Sequence, residues 1–115
     1  MDYEPSPYTC PECHGVLFRI KEGKVDRFRC HTGHGFSKAA LLEEFRESAE
    51  ATLWQAVKSL QEASALLMEA AAQLRESGDP QGCERMENRA RELTERLNIV
   101  RAAALEHTGS NTESA

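Results

Sequence analysis

Cys10-Pro11-Glu12-Cys13 and, after sixteen intervening residues, Cys30-His31-Thr32-Gly33-His34 decide how this chain is read. Two ligand pairs, each closed by a short turn, are what a tetrahedral ion needs, and thiolate with imidazole is a donor set that zinc takes. The predicted ligands are Cys10, Cys13, Cys30 and His34. His31 adjoins Cys30 and His14 adjoins Cys13, and adjacent residues rarely aim at one ion. His31 in place of Cys30 is the variant that this spacing leaves open, as it leaves open iron in place of zinc. Four protein ligands leave no coordination position for water or substrate, so a single Zn2+ here is expected to be structural rather than catalytic.

The segment between the pairs supports that reading. Val16-Leu17-Phe18-Arg19-Ile20 and Val25-Asp26-Arg27-Phe28-Arg29-Cys30 carry β-forming residues, and Lys21-Glu22-Gly23-Lys24 between them is a turn. Closing this hairpin brings the two ligand pairs together. Residues 1–36 are thus expected to be a zinc-ribbon-like module with a short disordered N-terminus. A module of this size is too small for an apolar core alone to stabilise, so metal binding and folding should be one event. Cys10 to His14 also spells C-x-x-C-H, the pattern of covalent haem attachment with His14 as axial ligand. That alternative leaves Cys30 and His34 unexplained, and it goes with export. The amino terminus lacks the basic, apolar and small-residue succession of a secretory signal.

Composition divides the chain after this module. Residues 1–36 hold three of the 4 prolines, both tyrosines and four of the 7 glycines. From Ser37 to about Leu105 the chain is rich in Ala, Leu, Glu and Arg, strong helix formers, interrupted only at Ser77-Gly78-Asp79-Pro80. In the first stretch Leu53, Leu60, Leu67 and Leu74 recur every seventh residue, and Ala49, Ala56, Ala63 and Ala70 are expected at the other core position, a seam of coiled-coil type. In the second, Cys83, Met86, Ala90, Leu93, Leu97, Val100 and Ala104 follow the same alternation of three and four. Cys83 falls on that seam and reads as a small buried hydrophobe. The short break forces the helices antiparallel, with Gly78 capping one and Pro80 opening the next. The predicted fold is small α+β and mostly α: a zinc-ribbon β-hairpin, then a long antiparallel helical hairpin over 37–106, with helices at about 37–76 and 81–106. Residues 107–115 are expected to form a disordered tail.

At 1.5 Å per residue the first helix would reach roughly 60 Å and the second about 39 Å. One helix outruns the other. The overhang carries Leu41, Leu42 and Phe45, with Trp54 just beyond, and these four are the predicted interaction surface, for a second copy or another protein. Chain composition excludes other classes. In 115 residues with 40% hydrophobic and 29% charged content there is no room for an enzyme-sized core, and no run of about 18 apolar residues crosses a bilayer. A cytoplasmic address is the default, and a reducing compartment favours metal over disulfide for clustered cysteines. Charges within residues 1–36 cancel, and the whole chain carries -5, a poor footprint for nucleic acid. The hairpin's Arg19, Lys21, Lys24, Arg27 and Arg29 near Phe18 and Phe28 keep a weak single-strand contact as an alternative.

Tyr8-Thr9-Cys10-Pro11-Glu12-Cys13-His14-Gly15-Val16-Leu17 and Arg27-Phe28-Arg29-Cys30-His31-Thr32-Gly33-His34-Gly35-Phe36-Ser37 carry a resemblance. With Leu41-Leu42 and the stretch from Ala51 to Leu60, which holds Leu53-Trp54, they look like the zinc-binding helical extension that follows the catalytic domain in some bacterial chemotaxis protein-glutamate methylesterases. That pattern reads C-P-x-C-G-G-V-L, then R-F-R-C-x-x-G-H-x-[FY]-S, then a long helix with a Leu-Trp pair. The similarity spans about residues 8 to 105. His14 stands where the pattern has Gly, while all four ligands match. The methylesterase is a Ser-His-Asp hydrolase, and no G-x-S-x-G turn or comparable nucleophile occurs here. The resemblance therefore implies a non-catalytic interaction or oligomerisation module, a homodimer or the partner of a chemosensory signalling protein. It also keeps open an accessory domain of a methylesterase.

Overall fold

A computed structural model describes residues 2–113. The elements run β1 (Asp2–Thr9), β2 (Val16–Glu22), β3 (Val25–Cys30), β4 (Gly35–Ser37), α1 (Lys38–Glu76) and α2 (Pro80–Glu113). The four strands form one antiparallel sheet in the order β1-β2-β3-β4, and two long helices follow, a small α+β arrangement. The chain divides into two units, Met1–Ala49 and Glu50–Ala115, with α1 running through the division. Among the described residues, no helix is long and apolar enough to cross a membrane.

In the first unit the expected β2–β3 hairpin forms, with Glu22 facing Val25 across a two-residue loop. Gly23 opens that loop at φ 66, the left-handed position that a Gly-first hairpin turn demands. Two further strands flank it. The expected disordered N-terminus is corrected to β1, which pairs with β2 through Tyr3↔Ile20, Glu4↔Arg19 and Pro5↔Phe18, then slips before Thr9↔Val16. Pro5 and Pro7 cannot donate to a ladder, which argues against a central strand, but β1 lies at the sheet edge and irregularities there tolerate them. Across the slip the Ser6 hydroxyl donates to the Leu17 carbonyl at 2.6 Å and accepts from the Tyr8 N–H at 3.2 Å, so a side chain replaces lost backbone pairing. β4 is only three residues long and takes the opposite edge through Phe28↔Phe36.

Register puts Leu17, Arg19, Phe28, Cys30 and Phe36 on one face of the sheet. Cys10, Leu17, Phe28, Cys30, Phe36 and Leu41 form the buried cluster, with Phe45 packed against it. Ser37 caps α1, its Oγ accepting from the Ala40 N–H at 3.1 Å.

The second unit is an antiparallel helical hairpin. Gly78 at φ 84, with Asp79 N–H bonded to the Leu74 carbonyl at 2.8 Å and Gly78 N–H to that of Arg75 at 3.2 Å, closes α1 in a Schellman motif. Asp79 then caps α2, its Oδ1 accepting from the Gly82 N–H at 2.9 Å, and Pro80 takes the first helical position. Side-chain pairs fix the antiparallel register: Arg75 with Glu87 at 3.1 Å, Ser64 with Thr94 at 3.2 Å and Thr108 with Glu50 at 2.8 Å.

The seam of α1 differs from the expected one by one residue. Leu53, Leu60, Leu67 and Leu74 do face inward, but their companions are Val57, Ser64 and Ala71, while Ala49 and Ala63 are exposed and Ala56 and Ala70 half-buried beside the seam. A heptad of leucines accepts a second core position either three or four residues on, and both satisfy the alternation. Here Val57 supplies more apolar surface than Ala56, and the Ser64 hydroxyl is satisfied by the Ala90 carbonyl at 3.4 Å as well as by Thr94. On α2 the expected residues all face inward. The expected tail from His107 is also corrected: α2 continues to Glu113, and only residues 114–115 lie outside the description. Thr108 is tied both to Glu50 and to the Ala104 carbonyl at 3.0 Å, which carries the helix past weak helix formers.

Candidate metal centre

Two tight loops of the first unit hold the four predicted ligands. In the first, Cys10 N–H bonds to the Gly15 carbonyl at 2.7 Å and His14 N–H to that of Cys10 at 2.8 Å. His14 sits in the left-handed region at φ 63, a conformation that favours glycine over a residue with a Cβ. In the second, Cys30 N–H bonds to the His34 carbonyl at 3.0 Å and Gly33, at φ 101, turns the chain back. The β2–β3 pairing then sets the loops side by side.

The three sulfurs and one imidazole nitrogen of Cys10, Cys13, Cys30 and His34 all lie within 4.8 Å of one another. Around a tetrahedral zinc with bonds of about 2.0–2.3 Å, donor atoms would be separated by roughly 3.5–3.8 Å. His34 Nδ1 lies 3.7 Å from Cys10 Sγ and 3.1 Å from Cys30 Sγ, so the donor set fits such an ion with small adjustments. Cys10 and Cys30 are buried, His34 half-buried and Cys13 exposed. The cluster includes Cys30 and not its neighbour His31, which is exposed, as is His14.

Two residues that the motif reading passed over orient the ligands. Glu12 lies between the first two cysteines, and its Oε2 accepts from His34 Nε2 at 3.0 Å. A proton committed to Nε2 leaves Nδ1, the atom facing the sulfurs, as the lone-pair donor. Thr32 places its Oγ1 3.1 Å from Cys30 Sγ and 3.6 Å from Cys13 Sγ, and the His34 N–H points at Cys30 Sγ from 3.2 Å. An acid inside the first C-x-x-C and a hydroxyl between Cys30 and His34 were the available signals.

At Cys30 and Cys13 these donors favour thiolate, the form a metal requires. At Cys30, burial pushes the thiol up, but the Thr32 hydroxyl and the N–H groups of His34 and Thr32 outweigh it and bring the value down to about 5. Cys13 is lowered by the Gly15 N–H, with Thr32 and His34 adding to it. Cys10 is raised by burial against the opposing N–H groups of Cys13 and Glu12. His34 is raised by its contacts with the sulfurs of Cys13 and Cys30.

The predicted interaction residues divide. Leu41 belongs to the buried cluster, a correction to its place on an exposed surface, because the sheet and not a partner covers it. Phe45 packs against that cluster half-buried, whereas Leu42 is 58% exposed. Trp54, in the stretch of α1 that belongs to the second unit, is 38% exposed. Cys83 is buried and apart from the metal cluster; its Sγ donates to Glu87 Oε1 at 3.0 Å, and this contact together with burial pushes its thiol up. No protein-family model, no curated protein and no solved structure matches the chain.

Proposed function

We propose that this chain is a non-catalytic interaction module whose ribbon is held by one structural zinc ion and whose helical hairpin pairs with a second copy. The observation that carries the reading is the convergence of Cys10, Cys13, Cys30 and His34, with Glu12 and Thr32 placed to orient them. Four protein donors and oriented outer partners are the arrangement of a closed structural site. Three thiolates favour zinc or iron over harder ions.

Pairing is supported by what the hairpin leaves uncovered. Leu53, Leu60, Leu67 and Leu74 remain only half-buried with α2 in place, and Trp54 and Met68, two heptads apart on the flanking stripe, are exposed. Two helices cannot enclose a full core, and four can. The resemblance of the motif residues to the methylesterase extension supports a setting in bacterial chemosensory or two-component signalling, as a free module or as an accessory to a methylesterase.

Metal analysis combined with mass in solution tests both parts. One equivalent of zinc and a dimer are expected, with Trp54→Glu plus Met68→Glu giving a folded monomer that keeps its metal. A monomer in the unaltered chain would remove the pairing, and absence of metal from the folded chain would remove the whole reading. Nucleic-acid binding has one observation in its favour: Tyr3 stacks on Phe18 at 4.9 Å on the outer sheet face, which Arg27 and Arg29 share by register. Salt-sensitive retention on single-stranded DNA would support that alternative.

A further inference from the structure

Arg19 is out of place in its strand. It lies on the face that carries Leu17, Phe28, Cys30 and Phe36, opposite Phe28 in the ladder, where alternation calls for an apolar residue. Its guanidinium carbon sits 5.5 Å from the Phe28 ring centre, and its Nε is buried with no hydrogen-bond partner among the described residues. The nearest carboxylates are too far for good hydrogen bonds: Asp26 at 3.7 Å and Glu4 at 4.0 Å. Asp26 is moreover shared with Lys38, whose Nζ is 3.5 Å away.

Both cations border a cavity of about 360 Å³ lined otherwise by Tyr8, Phe28, Leu41, Leu42 and Phe45. Its walls are apolar, its rim holds Arg19 and Lys38, and it opens beside the first turn of α1, which contains no acidic residue. Asp26 and Glu4 stand beside the two cations but outside the lining, which holds Arg19 and Lys38 and no acid, so with the helix start the wall itself presents positive charge. A polyanion would match the charges but not the apolar walls. One apolar side chain flanked by a carboxylate matches both, and the volume is at the low end of ligand sites.

We infer that this cavity docks a segment of a protein partner in which a Leu or Phe side chain enters between Tyr8, Leu42 and Phe45 while an adjoining carboxylate pairs with Arg19 and Lys38. This deepens the interaction-module reading and rests on it. The buried Nε stays out of reach, so the arriving carboxylate would pair with the accessible guanidinium nitrogens and the Lys38 ammonium, which their own carboxylates hold only at 3.5–4.0 Å, and charge-assisted bonds are strong where water is excluded.

The test is an NMR titration of the full zinc-loaded chain with an acetylated, amidated peptide of core Glu-Leu-Phe-Glu, set against its Gln-Leu-Phe-Gln counterpart. The acidic peptide should shift the Tyr8, Lys38 and Leu42 amides and the Arg19 Nε–H resonance, and bind about tenfold or more tightly than the neutral one. Arg19→Gln should erase the preference. Leu42→Asp, at an exposed position where folding is not at stake, should abolish binding while metal content and melting stay unchanged. Equal binding of the two peptides, shifts confined to other residues, binding untouched by Leu42→Asp, or tighter binding of decanoate than of the acidic peptide would each overturn the inference. Metal content and oligomeric state are read in parallel: a zinc-loaded dimer that ignores the peptide loses this site alone, and a metal-free or monomeric chain that binds it loses the structural zinc or the pairing and keeps this site.

Discussion

The two units solve the same problem, too little core, by opposite means. In the ribbon the largest fully buried side chains of the described structure are gathered, Phe28 and Leu17 together with Cys10 and Cys30. Two predicted ligands are thus also core residues. The hairpin buries mostly small side chains, Ala71, Cys83, Ala90 and Ala104 with Val57 and Leu97, and keeps the four heptad leucines of α1 half open. The first unit concentrates its stability at one point, and the second spreads it along two helices. Loss of a single donor should therefore matter far more to one than to the other.

Cys13→Ser gives the largest expected effect. Structural zinc contributes on the order of 10–16 kcal/mol in small metal-dependent domains, so the ribbon should unfold while the far-UV helical signal persists through most of its amplitude. Full retention of metal by the variant would break the comparison. Next is Leu97→Ala, in the best-buried leucine of α2, which should lower the hairpin's stability by about 2–3 kcal/mol at unchanged metal stoichiometry. Denaturant melts followed beside metal release would show whether the losses separate. Glu12→Gln sharpens the contrast within the ribbon: without the carboxylate on His34 Nε2, metal affinity should fall about 10–100-fold in competition with a chelator. His14→Gly has the smallest effect and the opposite sign. Relief of the left-handed strain, offset in part by backbone entropy, should stabilise the loaded ribbon by about 0.5–1 kcal/mol.

The comparison also explains what could be read in advance. Ligand spacing, the Gly23 turn and the Gly78-Asp79-Pro80 break are local signals, each fixed by a few adjacent residues, and each stands where the sequence indicates. β1 was illegible because Pro5 and Pro7 deny it a strand's appearance, and only an edge position with Ser6 bridging the slip makes it one. Three residues are too few for β4 to announce itself. The phase of the α1 seam lies beyond local reading: Ala56 and Val57 are both acceptable companions of Leu53, and α2 decides between them. Glu12 acts through a histidine 22 positions away, so its role depends on the closed hairpin.

Ser64 has a consequence for assembly. Its hydroxyl and that of Thr94 meet between the Arg75–Glu87 pair near the turn and the Thr108–Glu50 pair towards the far end of the two helices. Sliding one rod by a heptad would carry Thr94 opposite Val57 or Ala71 and break the bond between the two hydroxyls, leaving Thr94 only the Ala90 carbonyl of its own helix. The pair works like an indexing pin, adding little to the strength of the joint and selecting one notch among several that leucines alone would accept.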